Sequence, residues 1–443
     1  MLRQTMPADA DAGNIAVPPH LLMYTRMQAR TESPAIDNVL TDPASWADEA
    51  GIHERFRWLR TNDPIRRMHP EGFDPYWSIT RHHHIKAIEG EKKIFINDPR
   101  PILSPIAVQA FVEAVTGRKH LVRSLVQMDD PDHSRYRRLT QAWFLGNNLH
   151  SLQPRIDALA SAYVDQLASF GGECDFVKDV AVWYPLRVIM TILGVPESDE
   201  PLMLKLTQEL FGSGDPDTRR SFELDDFVQV AHDFEDYFEA LAKEKRKRPT
   251  DDVASVIANA KVDGKPLPPL DLSGYYTIIA AAGHDTTSSS IAGGLHALVE
   301  HPAEMQKLRN NVDDMMDTAV DEAIRWVTPV RQFSRTATQD YELDGTRIQA
   351  GESVALWYPS GNRDEAVFDS PYAFRVDRRE KHIAFGFGAH VCLGQHLARM
   401  ELASMYRELL RRVKHIELAG APRYIQSIFV GGLKSMPIRY TMQ

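Results

Sequence analysis

Apolar residues recur along most of the chain with the spacing of α-helices. Such patterns run from about Trp46 to Arg60, through most of residues 150–250, and again from Gln395 onwards. One early stretch, residues 64–80, instead predicts strand, turn and strand. No unit of about 20–50 residues repeats along the sequence. Helices are therefore expected to dominate, with a smaller share of short strands.

The chain is long enough to bury a large core, since 43% of its 443 residues are hydrophobic. Residues 1–20 are rich in Ala, Asp and Pro and are predicted to be a mobile tail. No low-complexity linker divides the remainder, so residues 21–443 are predicted to form a single domain. The longest uncharged run, Leu272 to Gly283, is shorter than the roughly 20 apolar residues that span a bilayer. With no secretory signal at the N-terminus, we expect a cytoplasmic protein without a membrane segment.

The formal net charge of -10, from 51 basic and 61 acidic residues, argues against a nucleic-acid-binding protein. It leaves room for a local basic patch that meets an acidic protein partner. The chain has two cysteines, Cys174 and Cys392. If Cys392 binds a metal, Cys174 has no disulfide partner, and a reducing compartment is expected.

The chemically richest stretch is the sequence FGFGAHVCLG, from Phe385 to Gly394. Cys392 precedes a predicted helix, where unpaired N–H groups and the positive helix end stabilise a thiolate. Gly386 and Gly388, with Gly394, allow positive φ or the close approach of a large flat group. Phe385 can cover the sulfur on the side that faces away from this flat group. A lone cysteine in a Gly-rich turn is more often structural, but this combination suits a thiolate bound to haem iron.

This stretch resembles the Phe-x-x-Gly-x-His-x-Cys-x-Gly signature of the cytochromes P450, the haem-thiolate monooxygenases. The resemblance implies haem b (iron protoporphyrin IX) as the cofactor and Cys392 as the ligand of its iron. It also implies a mainly α fold with a smaller β-rich region, built partly from residues 64–80. The loop residues implied to contact the haem are Phe385, Gly386, His390, Cys392 and Gly394.

A second motif, AAAGHDTTSSS, lies in a helix predicted from Leu272 to Val299. Its hydroxyl and β-branched residues favour helices weakly, so we expect a locally opened helix there. The segment Ala282–Thr287 resembles the family's Ala-Gly-x-Asp-Thr-Thr signature. The resemblance implies that Thr286 hydrogen-bonds the bound oxygen and that Asp285 relays protons, while His284 holds a variable position without a catalytic role. Taken alone, the motif also fits a Ser/Thr-rich core helix. The helix residues implied to contact the haem are Ala282, Gly283 and Thr286.

Several basic residues match positions that hold haem propionates in the family. His133 and Arg137 are four residues apart and so lie on one face of a helix. Imidazolium and guanidinium groups suit a half-buried carboxylate. Taken alone, the pair fits a solvated helix face equally well. Arg335 in FSRTA and His390 in the cysteine loop match two further propionate positions.

Glu322 and Arg325 have the spacing of neighbours on one helix face, which is common by chance. The order of the following motifs along the chain matches the family. The resemblance therefore implies a buried structural triad completed by Arg378.

Residues 98–127 are predicted to be an apolar loop, because three prolines interrupt regular structure. In the family this region covers the substrate, although ordinary core packing is an equal alternative. The residues predicted to line the substrate pocket are Ile102, Ile106, Val330, Phe333, Ile428 and Phe429.

The resemblance covers nearly the whole chain after the tail and implies monooxygenation. One oxygen atom enters a substrate C–H bond and the other leaves as water. The sequence GFGAHV lacks the Gly-x-Gly-x-x-Gly pattern, and no other flavin or nicotinamide module is recognisable. Electrons are therefore expected from a separate iron–sulfur ferredoxin and its reductase, and the protein is expected to be a monomer.

Stretches such as LGVPESDEPLMLKLTQELFG, AGHDTTSSS, GNRDEAVF and FVGG resemble the terpineol-hydroxylating branch of the family. This suggests a monoterpenoid or aromatic hydrocarbon substrate, with a steroid or fatty acid as the alternative. A haem-thiolate sensor or electron carrier would not need Asp285 and Thr286. A peroxide-using enzyme would normally replace that pair, so both alternatives are less favoured.

Three adjacent histidines, His82, His83 and His84, follow the predicted strands. Neighbours along a strand point to opposite faces, so three such residues do not converge on one ion. A polar loop leading into the next helix is the favoured interpretation.

Overall fold

The computed structural model describes residues 35–443 except 213 and 222. The tail predicted for residues 1–20 lies outside the described residues. Helices, including one of 32 residues, supply most of the regular structure, and the strands are short. This agrees with the predicted mainly α fold that has a smaller β-rich region.

The helices are α1 (Ala35–Val39), α2 (Glu49–Asn62), α3 (His82–Gly90), α4 (Ile106–Thr116), α5 (Asp132–Gln141), α6 (Gly146–Ser151), α7 (Gln153–Ser169), α8 (Trp183–Ile192), α9 (Glu200–Phe211), α10 (Leu224–Lys247), α11 (Val253–Asn259), α12 (Pro269–Glu300), α13 (Pro302–Asn310), α14 (Val312–Val327), α15 (Tyr358–Gly361) and α16 (Gln395–Arg412). The strands are β1 (Ile65–Met68), β2 (Tyr76–Ile79), β3 (Phe95–Ile96), β4 (Glu173–Asp175), β5 (Lys261–Val262), β6 (Lys265–Pro266), β7 (Gln332–Ala337), β8 (Tyr341–Leu343), β9 (Thr346–Ile348), β10 (Ser353–Trp357), β11 (Val413–Leu418), β12 (Arg423–Tyr424), β13 (Leu433–Ser435) and β14 (Pro437–Met442). Short 3-10 turns lie at Pro43–Ala47, Glu197–Asp199 and Gly388–His390, and a π-helical turn lies at Val177–Ala181.

Helix α12 is the centre of the helical part. It is buried on nearly all sides, as expected for a helix whose apolar and small residues surround its axis. It packs against α8, α10, α14 and α16. Gly294 allows α16 to come close, because a Cβ at this position would overlap the Tyr406 hydroxyl group. The large hydrophobic core of the molecule lies around this helix. None of the helices in the described part of the chain is both long enough and apolar enough to cross a membrane.

The β-rich part is a five-stranded sheet with the strand order β1-β2-β10-β7-β3. Strand β2 pairs antiparallel with β1 and parallel with β10, where Tyr76 faces Ser353. Both strands predicted within residues 64–80 are present and form one edge of this sheet. The ring of Trp46 stacks on that of Trp357, the last residue of β10, with centroids 5.8 Å apart.

Two local expectations are wrong. Residues 106–116 form helix α4 rather than a loop. The last of the three prolines, Pro105, directly precedes this helix and therefore does not interrupt it. Helix α12 runs through the Ser/Thr-rich segment without a break. The hydroxyl groups of Thr286 and Ser290 donate to the carbonyl oxygens four residues earlier, each at 2.8 Å, so these side chains are satisfied without opening the helix.

Candidate active site

The cysteine loop is a tight turn held by its own backbone. The Cys392 N–H donates to the Phe385 carbonyl oxygen at 2.9 Å, and Gly386 and Gly388 adopt φ of +70° and +73°. Gly388 also permits contact with helix α3, because a Cβ there would lie 2.5 Å from the Glu89 carbonyl oxygen. The loop ends at Gly394, the N-cap of α16. Cys392 thus lies just before a helix N-terminus, as predicted.

The Cys392 side chain is enclosed by protein but exposed to an internal cavity. Burial raises the pKa of its thiol, while the Gly394 N–H and the guanidinium groups of Arg137 and Arg399 act in the opposite direction. The donors that favour a thiolate are therefore already present around the sulfur. A bound cation would favour the thiolate further.

The cavity lies between the cysteine loop and helix α12. About 1560 Å³ between its walls and in its opening is not occupied by protein atoms. All residues predicted to contact the cofactor line it: His133, Arg137, Ala282, Gly283, Thr286, Arg335, Phe385, Gly386, His390, Cys392 and Gly394.

Two histidines and two arginines face one side of this cavity. The rings of His133 and His390 stack with centroids 3.8 Å apart, and Arg137 and Arg335 line the same wall. Burial, together with the neighbouring cations, lowers the pKa of His133 to about 4 and that of His390 to about 2. The His133 Nε2 atom is buried without a hydrogen-bond partner among the described residues. Carboxylates in the cavity would supply the missing acceptor, so this wall fits the propionates of a haem.

Helix α12 forms the opposite wall of the cavity. Thr286 lines it, with its hydroxyl group donating to the Ala282 carbonyl oxygen at 2.8 Å. Gly283 lines it as well, but its missing side chain serves packing, because a Cβ there would lie 2.8 Å from Ile189 Cγ1 of α8. Helix α8 therefore packs closely against α12 at this position.

Asp285 does not line this cavity, because consecutive helix residues point about 100° apart. It lines a second cavity of mixed polar and apolar character together with Ser288, Ser289 and Lys434. Burial raises the pKa of Asp285 to about 8, and its Oδ2 atom has no hydrogen-bond partner among the described residues. Its Oδ1 atom lies 3.3 Å from His284 Nδ1. The predicted acid and alcohol thus face two different cavities.

The cytochrome P450 family model matches residues 106–427, well over half of the chain and the part that contains both motifs. The chain belongs to the cytochrome P450 family. It is accordingly a P450 monooxygenase, a member of a family that binds haem.

Several known P450s are similar to this one over nearly their whole length. Cytochrome P450-terp of a Pseudomonas species is 42% identical over 427 residues, which are 94% of this chain and 100% of that protein. CYP108D1 of Novosphingobium aromaticivorans has a crystal structure with a TM-score of 0.87 and 41% identity, covering 93% of this chain and 99% of that one. CYP268A2 of Mycobacterium marinum, solved in complex with pseudoionone, has a TM-score of 0.83 and 31% identity, covering 93% and 98%. The predicted resemblance is confirmed.

The predicted P450 scaffold triad is assembled. Glu322 receives two hydrogen bonds from Arg325, at 2.6 and 2.8 Å, and its Oε2 lies 3.0 Å from Arg378 Nε. All three side chains are at most 1% exposed. Arg325 also donates to the carbonyl oxygens of Asn362 and Pro371, which join α14 to the segment before the cysteine loop. The triad therefore holds together chain segments that are far apart in sequence.

The residues predicted to line the substrate pocket are divided between this cavity and other parts of the fold. Val330, Phe333 and Phe429 line the cavity, and the rings of Phe333 and Phe429 lie 5.5 Å apart. Ile102, Ile106 and Ile428 do not line it. These residues are placed elsewhere by the fold: Ile102 lines a small separate cavity, Ile106 is 46% exposed at the start of α4, and Ile428 packs against the cluster around Trp46.

Several residues of the P450 cavity were not predicted from the sequence. Glu89 is fully buried, accepts from the Tyr358 hydroxyl group at 2.7 Å, and lies 3.3 Å from Arg335. Burial raises the pKa of Glu89 to about 7. Glu401 of α16 is buried against the same cavity, and burial raises its pKa well above the ordinary value. Nothing in the local sequence around Glu89, EGEKK, distinguishes it from a solvated helix end. Further lining residues that were missed are Asn97, Leu125, Val126, Phe144, Ile189, Phe211, Ile278, Ile279 and Ile324.

Proposed function

We propose that this P450 hydroxylates a small to medium apolar substrate, with haem b as its cofactor and Cys392 as the residue that would bind its iron. The observation that supports this most is that one cavity is lined by the Cys392 thiol, by Thr286, and by two arginines and two histidines. Haem bound there would supply dioxygen binding and its reductive activation, with the thiolate donating electron density. His133, Arg137, Arg335 and His390 would hold its propionates, and Phe385, Gly386 and Gly394 would lie beside the thiolate.

Asp285 and Thr286 would deliver protons on the side of the cavity that helix α12 forms. With a pKa of about 8, the Asp285 carboxyl group holds a proton at neutral pH. The second cavity next to Asp285 is lined by charged and hydroxyl groups such as Lys178, Asp217 and Ser288, which can hold water. Such water would return a proton to the Asp285 carboxylate after Asp285 has given one up. Thr286 lines the first cavity, where rotation about χ1 would let its hydroxyl group donate to a bound molecule instead of the Ala282 carbonyl oxygen.

The wall chemistry supports an apolar substrate. Away from these arginines and histidines the cavity is lined by aliphatic and aromatic side chains, including Ile279, Phe333 and Phe429. Such a surface binds hydrocarbon by burial and offers few polar groups that would orient a hydrophilic ligand. The similarity to P450-terp, and to a structure that holds pseudoionone, favours a monoterpenoid or an aromatic hydrocarbon. A steroid or a fatty acid is the alternative.

Two spectroscopic experiments test this proposal. The reduced protein under carbon monoxide should show the strongly red-shifted absorption of a thiolate-bound haem. Cys392→Ala should lose this absorption, while Cys174→Ala should keep it. Retention of the absorption in Cys392→Ala would refute the ligand assignment. Titrating the ferric protein with a monoterpenoid, an aromatic hydrocarbon, a steroid and a fatty acid should then identify the class that displaces the water ligand.

We also propose that electrons come from a ferredoxin with its reductase. Arg137 Nη2 donates to the Val391 carbonyl oxygen at 2.7 Å, which fixes α5 against the cysteine loop. Arg138 on the same helix is exposed and offers a cation near the loop to an acidic partner. Arg138→Glu should slow reduction by an acidic ferredoxin at low salt, whereas Lys414→Glu, on β11, should not. Equal effects of the two variants would refute this docking site.

A cytoplasmic location is proposed because both cysteines are unpaired, as expected in a reducing compartment. A monomeric state and a single domain over residues 21–443 remain predictions. Light scattering and limited proteolysis of the haem-loaded protein would test them.

A further inference from the structure

The run of three histidines forms the first turn of helix α3 and not the polar loop that the sequence predicts. On a helix, neighbours diverge by about 100° rather than 180°, so two of three adjacent side chains can meet. The His82 ring packs edge-on against Phe368, with centroids 6.0 Å apart. The rings of His83 and His84 lie together, with centroids 4.0 Å apart and planes tilted by 54°.

A carboxylate from a distant part of the chain meets this pair. Asp344 occupies the two-residue turn between β8 and β9, with φ of +46°, and is followed by Gly345 with φ of +79°. Its Oδ2 atom lies 2.7 Å from His84 Nε2 and 3.7 Å from His83 Nε2. The candidate ligand atoms of all three residues lie within 4.8 Å of one another.

We propose that His83, His84 and Asp344 form a binding site for a divalent transition-metal ion of the zinc type. Two imidazoles and one carboxylate are ligands that zinc prefers, and water can complete the shell. Around a tetrahedral ion with bonds of about 2.0–2.2 Å, ligand atoms are roughly 3.3–3.6 Å apart. The distance from Asp344 Oδ2 to His83 Nε2 is already close to this range. The distance from Asp344 Oδ2 to His84 Nε2 needs to increase by less than about 1 Å.

The burial of the three side chains suits such a site. The His84 side chain is 1% exposed and therefore fixed, whereas those of His83 and Asp344 are 55% and 60% exposed. The exposed side chains can adjust to the ion and leave it an entry path and positions for water. A simple ion pair between His84 and Asp344 would leave the adjacent His83 imidazole without a role. Elsewhere in the described residues no comparable group of histidine, cysteine and carboxylate ligands comes together.

A metal ion here would join helix α3 to the β8–β9 hairpin. Both elements contribute to one hydrophobic cluster, through Ile85 and Ile88 of the helix and Leu343 and Ile348 of the hairpin. Helix α3 also carries Glu89, which lines the large cavity. The ion would therefore stabilise an element that forms part of the cavity wall.

The test uses the full-length, haem-loaded protein after treatment with a chelator. Zinc is titrated in competition with a chromophoric zinc indicator, and thermal unfolding is followed by haem absorbance with and without zinc. The wild-type protein should take up one zinc ion per chain at this site. Asp344→Asn and His83→Asn should each weaken binding by at least about tenfold, because even the loss of a group that only supports a ligand costs 10–100-fold. Zinc should raise the unfolding midpoint of the wild-type protein by a few degrees and leave that of Asp344→Asn unchanged.

His415 offers a matched control, because it lies 3.4 Å from Glu417 on the surface without a second histidine. His415→Asn should bind zinc as tightly as the wild-type protein. Both test positions are exposed, so the variants should fold, which retention of the carbon monoxide spectrum will check. Equal zinc affinity in the wild-type protein and Asp344→Asn, or no uptake at millimolar zinc, would overturn the proposal.

Discussion

Replacing Asp285 by asparagine removes an ionisable group that the fold keeps protonated. Burial raises the pKa of Asp285 from 3.8 to about 8. The unfolded chain releases this proton near the ordinary value. Between the two values the folded protein binds a proton that the unfolded protein has lost, so the free energy of unfolding falls as the pH rises from about 4 to 8. Asparagine has no ionisable group and so does not lose stability in this way. Asp285→Asn should therefore be more stable than the wild-type protein, by an amount that grows with pH.

The pKa difference sets the size of the effect. One unit corresponds to about 1.4 kcal/mol, so the full shift is worth roughly 5 kcal/mol at pH 8. The Asp285 side chain is 17% exposed, and water in the second cavity will reduce that figure. We therefore expect Asp285→Asn to gain about 1 kcal/mol at pH 5 and about 2–4 kcal/mol at pH 8. The same change should lower turnover by about 10²–10⁴-fold, the usual contribution of a general acid.

Urea unfolding of the haem-loaded proteins at pH 5, 6.5 and 8 measures this difference. Asp217 lines the same cavity but is exposed, and Lys434 lowers its pKa. Asp217 therefore contributes stability above its ordinary pKa that is lost as the pH falls, the opposite sign, so Asp217→Asn should not gain stability at pH 8. A stability difference between Asp285→Asn and the wild-type protein that is the same at pH 5 and pH 8 would refute the reasoning.

The remaining predictions concern the alcohol, the scaffold and the pocket. Thr286→Ala should uncouple reductant consumption from product formation, while Thr286→Ser should stay coupled. The ratio of NADH used to product formed measures this coupling, and tight coupling in Thr286→Ala would contradict the assignment. Arg378→Ala should cost about 3–5 kcal/mol in denaturant unfolding, because Glu322 is left partly unpaired in the core, and a loss below about 1 kcal/mol would match a mere surface pair. Phe429→Ala should weaken substrate binding in spectral titrations, whereas Ile106→Ala should not; equal effects would restore Ile106 to the pocket.

Local sequence was enough to predict the elements whose signals are periodic or carry special residues. Helix α16 was expected from the residues that follow Cys392, and the structure gives the same stretch, Gln395–Arg412. The strands within residues 64–80 are flanked by turn residues and were found as well. The cysteine loop was recognisable because its glycines and aromatic residue have a fixed spacing around one sulfur. Such signals depend on neighbours in the chain and need no knowledge of the fold.

Other features depend on contacts between distant segments. Glu89 joins the cavity wall only because α3 ends beside the cysteine loop and beside Arg335 on β7. Ile106 was placed in the pocket because it is apolar, but helix α4 turns it outward. The separation of Asp285 from Thr286 follows from the orientation of α12 between two cavities. None of these could be read from the residues nearby in sequence.

Phe211 and Val430 each line both cavities, so these two side chains form part of the barrier between them. An engineer who wants this enzyme to accept bulkier molecules should therefore leave both side chains intact. Replacing either residue with a smaller one would connect the cavity beside Cys392 with the second cavity and let bulk solvent reach the reaction site. Extra space is better sought at Leu125 or Ile279, which line only the first of the two cavities.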